Sequence, residues 1–143
     1  MNTSEQLTKV FNDNFVTYFR SHVAHLNIVG RNFVSDHKLL EGIYEDLQDQ
    51  IDTIGELLRT LNTFAPSSLP YIIDNTEIDT FAFEETADGF LHGVKYDLEY
   101  LKGCYEELMA ISENEGHEEI ANYAQDRILK LAKFIWMLTV TLE

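Results

Sequence analysis

The chain has 143 residues, enough for one domain with a substantial buried core. Its 25 acidic residues against 10 Lys and Arg give a formal net charge of −15, and we expect no direct DNA binding because that needs basic side chains at the phosphates. No apolar run approaches the ~18 residues of a membrane span, and we expect no signal peptide because the first residues lack an apolar core and a positive start. With its single cysteine, it is predicted to be one cytoplasmic domain, residues 1–143, without a membrane partner.

Two long segments with helical period open the chain. The first runs from about Thr3 to Ile28 and the second from about Val34 to Leu61. Gly30 marks the break between them. Ser35 or Asp36 is the predicted N-cap of the second helix.

A connection with both prolines, Pro66 and Pro70, separates these helices from the second half of the chain. Within it, Ile78 to Phe83 is predicted to form a short helix. A third long helix is expected from about Glu84 to Glu113 and a fourth from about Glu118 to Leu142.

Four amphipathic helices with one long middle connection favour an all-α fold. The long crossover lets helices two and three run parallel, as in a ferritin-like four-helix bundle. We therefore predict that bundle, with a short extra helix in the crossover.

The most informative side chains are two imidazoles twelve residues apart, followed by two carboxylates four residues apart. Mixed nitrogen and oxygen ligands suit a borderline divalent metal such as iron, and zinc or manganese could compete for them. No histidine has a Glu three residues before it, which disfavours a di-iron site inside the bundle. The candidate ligands are His25, His37, Asp52 and Glu56.

The second helix has an acidic side opposite its apolar stripe. At about 100° per residue, Asp52 and Glu56 lie on that acidic side, facing solvent or another subunit. His37 precedes Asp52 by fifteen residues, which is about 22 Å of helix, whereas metal–ligand bonds are about 2 Å. Two copies packed antiparallel about a two-fold axis could bring His37 of one chain to Asp52 of the other. Without the histidines, the acidic side would be interpreted as a solvated face.

The run from His25 to Glu56 resembles the ligand motif of the Dps-type miniferritins, H-W-N-x-x-G-x-x-F-x-x-x-H followed by D-x-x-x-E. Leu26 replaces the Trp of that motif. The last helix also resembles the family's, since Trp136 to Leu138 match its W-M-L signature, so the similarity covers nearly the whole chain. The positions in register are His25, Asn27, Gly30, Phe33, His37, Asp52 and Glu56.

The resemblance implies a shell of twelve subunits that stores iron. Fe(II) would bind at two-fold interfaces and be oxidised by peroxide, or less readily by dioxygen. His25 and His37 would be ligands from one subunit and Asp52 the ligand from its neighbour. Glu56 would bridge toward a weaker second position, so the site could hold one iron or two.

The chain departs from the family in two places. Leu26 cannot surrender an electron during oxidation, as a Trp there can. The short N-terminal segment has one Lys where many members carry a lysine-rich tail, which again disfavours DNA binding.

Several further residues have two interpretations. The resemblance implies negative pores near the start of the last helix, but a helix N-terminus favours acids for dipole reasons alone. His22 is either an extra ligand or proton carrier, or a surface or internally hydrogen-bonded histidine, and we favour the second interpretation. Trp136 is interpreted as a core anchor. The candidate pore residues are Glu118, Glu119, Asn122 and Asp126.

Three functions fit these features. The first is a catalytic miniferritin with ferroxidase activity. The second is a shell that buffers metal without fast oxidation. The third is an acidic helical interaction module whose His and acid positions coincide by chance.

Overall fold

The computed structural model describes all 143 residues and contains helices but no strand. This confirms the all-α prediction, and the long helices begin and end within three residues of the predicted positions. The helices are α1 (Thr3–Asn27), α2 (Phe33–Thr60), α3 (Leu69–Asn75), α4 (Ala87–Asn114) and α5 (Glu118–Thr141).

The four long helices form the predicted bundle around one apolar core. α1 packs against α2 and α4, and α4 packs against α5. Polar side chains of α5 reach α2, because Arg127 makes a bidentate ion pair with Asp46 at 2.6 and 3.0 Å and Tyr123 donates to Gln50. No helix has a stretch long and apolar enough to cross a bilayer.

The crossover does carry a short helix, but the predicted position was wrong. The helix is Leu69–Asn75. The Ser68 side chain caps its first turn, and Pro70 is favourable in that turn because the first backbone N–H groups of a helix have no intrahelical partner. Residues 78–83 are not helical. There the Asp79 side chain accepts from the backbone N–H of Phe81, a local bond that competes with helix formation.

Two helix starts also differ from prediction. α2 begins after Asn32, and neither Ser35 nor Asp36 is its N-cap. α4 begins three residues later than expected, because the Thr86 side chain accepts from the backbone N–H of Gly89 and so caps the helix there.

Trp136 is not a core anchor in the protomer, since its side chain is 61% exposed. Phe134 and Leu138 on the same helix are buried instead. Two residues of helix turn the chain by about 200°. Trp136 therefore lies on the face of α5 opposite to Phe134.

The crossover is fastened to α1 by a buried carboxylate, that of Asp13. It accepts from the Thr76 hydroxyl at 2.7 Å and the Glu77 backbone N–H at 3.1 Å, and Lys9 donates to it at 3.0 Å. The Cys104 thiol lies 3.5 Å away. Burial and this carboxylate raise the pKa of Cys104 to about 12, so the thiol stays protonated at neutral pH.

Candidate metal centre

The turn between α1 and α2 brings His25 and His37 into contact. His25 lies in the last turn of α1 and His37 in the second turn of α2. Their rings stack with centroids 3.7 Å apart and planes 18° from parallel. Gly30, with φ of 109°, supplies the left-handed backbone that reverses the chain.

Reciprocal hydrogen bonds orient both rings. His25 Nδ1 donates to the carbonyl oxygen of His37 at 2.8 Å, and His37 Nδ1 donates to that of His25 at 2.7 Å. A carbonyl oxygen only accepts, so Nδ1 carries the proton in each ring. In the neutral imidazole, Nε2 then keeps its lone pair for a metal, which is how a second bond commonly sets up a histidine ligand.

Asp52 and Glu56 lie on the outer surface of α2, one helical turn apart. Both are exposed. Neither carboxylate has a hydrogen bond or ion pair within the protomer. They are therefore available to a ligand or to another chain.

The structure brings the two histidines together but keeps them away from the two carboxylates. His37 and Asp52 are on the same helix, separated by about 22 Å along its axis. No group of three or more His, Cys, Asp or Glu side chains in the protomer could hold a metal ion. One protomer thus carries two separate halves of the predicted ligand set.

Further aromatic rings pack beside His25 between α1 and α2. Tyr44 lies 5.0 Å from His25 between ring centroids, and His22 stacks on Tyr44 at 3.9 Å with planes 4° apart. His22 Nδ1 is hydrogen-bonded to the Tyr18 hydroxyl at 3.2 Å, so it is satisfied within the protein. Partial burial raises the pKa of the Tyr44 phenol, and neighbouring carboxylates add to this shift.

The sequence interpretation missed this aromatic environment. Tyr18 and His22 recur at helical spacing on α1, and Tyr44 falls in the apolar stripe of α2. Periodicity alone predicts only that such residues pack against the neighbouring helix. The available signal was that the same face of α1 continues directly to His25.

The outer side of the histidine pair is apolar and exposed. Leu26, at the position of the family Trp, is 62% exposed. Val29, Phe33 and Val34 extend this surface across the turn, and Phe33 also stacks on His37. An apolar patch beside polar ligands is typical of a surface that another protein covers.

The predicted pore residues all lie exposed on the first turns of α5. Glu119 is 3.7 Å from the ring of His117. The positive end of the helix dipole accounts for acids at Glu118 and Glu119 without a pore. A pore role for Glu118, Glu119, Asn122 and Asp126 stays a prediction.

Comparisons with known proteins agree with this architecture. The profile of the ferritin-like domain family matches residues 4–143. The chain is 32% identical over 143 residues to the DNA protection during starvation protein of Helicobacter pylori, covering 96% of each chain. It superposes on antigen TpF1 of Treponema pallidum with a TM-score of 0.93 at 32% identity, covering 99% of this chain and 91% of the other. Helicobacter cinaedi CAIP is 28% identical with a TM-score of 0.92, covering 99% and 100%.

Proposed function

We propose, since the chain belongs to the ferritin-like domain family and within it to the Dps-type miniferritins, that it oxidises Fe(II) and stores the ferric product. Hydrogen peroxide is the preferred oxidant and dioxygen the alternative. The reaction takes place at sites shared by two subunits of a dodecameric shell. Iron is the substrate and the cargo of this protein.

The observation that carries the proposal is the reciprocal hydrogen bonding of His25 and His37. In a stacked pair of rings that each donate Nδ1–H to a carbonyl oxygen, Nε2 of both rings keeps a lone pair for a metal. This arrangement costs both rings rotational freedom and is of no use to a solvated surface histidine. It is suited to a divalent metal that accepts nitrogen ligands.

The other ligands come from a second copy. Asp52 and Glu56 have no partner in their own protomer, and the histidines cannot reach them along α2. In an antiparallel pair about a two-fold axis, each interface contains two equivalent sites. We assign His25 and His37 as ligands from one subunit, Asp52 as the ligand from its neighbour, and Glu56 as the bridge toward a second iron.

The exposed apolar surface of Leu26, Val29, Phe33 and Val34 supports a partner at this place. It adjoins the histidine pair, so a subunit that covers it would also shield the site from water. Removing this apolar surface from water favours association. The acidic side of α2 would then be partly covered too, with its charge offset by bound iron.

A second candidate is a shell that binds metal without oxidising it quickly. Leu26 favours this candidate, because no Trp lies at the site to give an electron. Zinc or manganese would then be as suitable a cargo as iron. The third candidate, a monomeric or dimeric interaction module, does not explain the histidine geometry.

Mixing the protein with Fe(II) and hydrogen peroxide in a stopped-flow instrument tests the proposal. We expect rapid ferric absorbance, and a mass in solution of about twelve subunits because the sites need neighbours. A shell without rapid ferric product would support the metal-buffering candidate. A monomer at micromolar concentration and neutral pH would contradict both shell functions.

DNA should not bind to the iron-free protein. Arg20 and Arg127 are buried in ion pairs with Asp97 and Asp46, so they cannot neutralise phosphates, and the formal charge of each protomer is −15. A gel-shift at low salt should therefore show no retardation. Retardation that disappears when exposed Arg31 is replaced by Ala would instead reveal a local basic patch.

A further inference from the structure

A series of neighbouring aromatic rings connects the proposed ligand His25 to Tyr18. Tyr18, His22 and His25 lie on α1, and Tyr44 lies on the facing helix α2. From His25 the series passes to Tyr44 at 5.0 Å and from Tyr44 to His22 at 3.9 Å. His22 lies 5.7 Å from Tyr18, all measured between ring centroids. Such spacing allows an electron to move between neighbouring rings without any change of structure.

Tyr18 differs from Tyr44 in having a proton acceptor. Its hydroxyl lies 3.2 Å from His22 Nδ1. With the His22 proton on Nε2, the phenol O–H donates to Nδ1. The Tyr44 hydroxyl has no hydrogen-bond partner in the protomer. A phenol that loses an electron becomes a very strong acid, so oxidation is favoured where a base already holds the proton.

No other ring in contact with the histidine pair is suited to give an electron. Phe33 stacks on His37 but has no hydroxyl, and position 26 is a saturated Leu. The oxidisable rings are therefore Tyr44, which contacts His25, and Tyr18 beyond it. Only Tyr18 combines a path to the site with a place for its proton.

We propose that the Tyr18–His22 pair is a one-electron donor to the iron site, with Tyr44 as the bridge. The inference rests on the proposed function. The donor is needed when a site holds a single Fe(II), because reduction of peroxide to hydroxide takes two electrons and one Fe(II) supplies only one.

The step balances as follows for one iron, one peroxide and one Tyr18. Fe(II) becomes Fe(III) and the Tyr18 phenol becomes a neutral phenoxyl radical, each giving one electron. The O–O bond of peroxide breaks to give two hydroxide ions, and the phenol proton moves to His22 Nδ1. Hydroxyl radical, the product of one-electron reduction of peroxide, is thereby avoided.

The test is rapid-freeze electron paramagnetic resonance of the assembled protein with peroxide and one Fe(II) per site. The wild-type protein should give a tyrosyl radical signal, which narrows when the protein contains ring-deuterated tyrosine. Two Fe(II) per site should suppress the signal, because the second iron supplies the second electron. Ferric absorbance is recorded on the same samples.

Two variants and a matched control locate the radical. Tyr18→Phe keeps the ring but removes the phenol, and His22→Phe keeps the stacking but removes the proton acceptor. Both should lower the signal to that of an iron-free sample and increase hydroxyl-radical adducts of a spin trap. Tyr96→Phe, on an exposed part of α4 with its side chain 72% exposed, should behave as wild type.

An unchanged signal in Tyr18→Phe, or a signal lost only in Tyr44→Phe, would overturn the assignment to Tyr18. Ferric product without any tyrosyl radical in wild type would overturn the inference and leave the proposed function intact. Absence of ferric product in wild type would instead overturn the proposed function, and the inference with it.

Discussion

His37→Ala and Asp52→Ala should each abolish rapid iron oxidation, while a shell assembled from both variants together should recover part of it. Each substitution removes one ligand from a site with few. Loss of a group that merely orients a metal-ligating histidine already costs about 10- to 100-fold. We therefore expect each single variant to lose at least about 100-fold in the rate of ferric absorbance.

The recovery follows from counting ligands at a two-fold interface. When a His37→Ala subunit pairs with an Asp52→Ala subunit, one of the two sites lacks both residues and the other has His37 and Asp52 intact. Random pairing makes half of the interfaces mixed, so about a quarter of the sites should survive under this symmetry. Stopped-flow absorbance of shells reassembled from equal amounts of the two variants measures this fraction.

Exposed residues of α4 provide the controls. His92→Ala and Glu107→Ala remove the same kinds of side chain away from the proposed site and should retain wild-type rates, alone and mixed. Co-assembled His37→Ala and Asp52→Ala subunits with no recovery would argue against ligands shared between chains. The inter-subunit geometry would then need to be abandoned.

Asp13→Ala should cause a large loss of stability, although the residue lies away from the proposed metal site. Its side chain is fully buried and accepts from Thr76, Glu77 and Lys9. Removing one partner of a buried charge pair costs about 3–5 kcal/mol. We expect the lower end, about 3 kcal/mol, because Lys9 is partly exposed.

Asp13→Asn separates the two contributions. The amide oxygen can still accept from Thr76 and Glu77, but the charge that pairs with Lys9 is gone. The loss of unfolding free energy in Asp13→Asn should therefore be smaller than the loss in Asp13→Ala.

The control is Asp74→Ala at an exposed position of α3, which should change the unfolding free energy by less than about 0.5 kcal/mol. Denaturant unfolding at one protein concentration measures these differences, since assembly also contributes to stability. Equal stability of Asp13→Ala and wild type would mean that the crossover is held by other contacts.

The four long helices could be predicted from the sequence because their signals are local. Apolar residues at steps of three and four face the core, and capping residues or glycine mark the ends. The contact between His25 and His37 is also local in origin, since the short turn at Gly30 brings the end of α1 beside the start of α2. The outward direction of Asp52 and Glu56 needed only the rotation per residue of α2.

The short helix and Trp136 could not be placed from the sequence. Residues 78–83 have apolar side chains at suitable spacing, but the side-chain bond of Asp79 to Phe81 competes with a helical turn. The second half of α5 has several large apolar residues, and only the packing of α5 on α4 decides that Phe134 is buried and Trp136 is not.

The helices and the bundle could thus be predicted from the sequence and are confirmed, whereas the four ligands and their sharing between two chains stay predictions. The tautomers of His25 and His37 and the contacts among Tyr18, His22 and Tyr44 became visible only in the folded protein. The reason is physical: periodicity and capping act over a few residues along one helix. Hydrogen bonds and ring stacking between α1 and α2 depend instead on how closely the two helices pack and in which rotation.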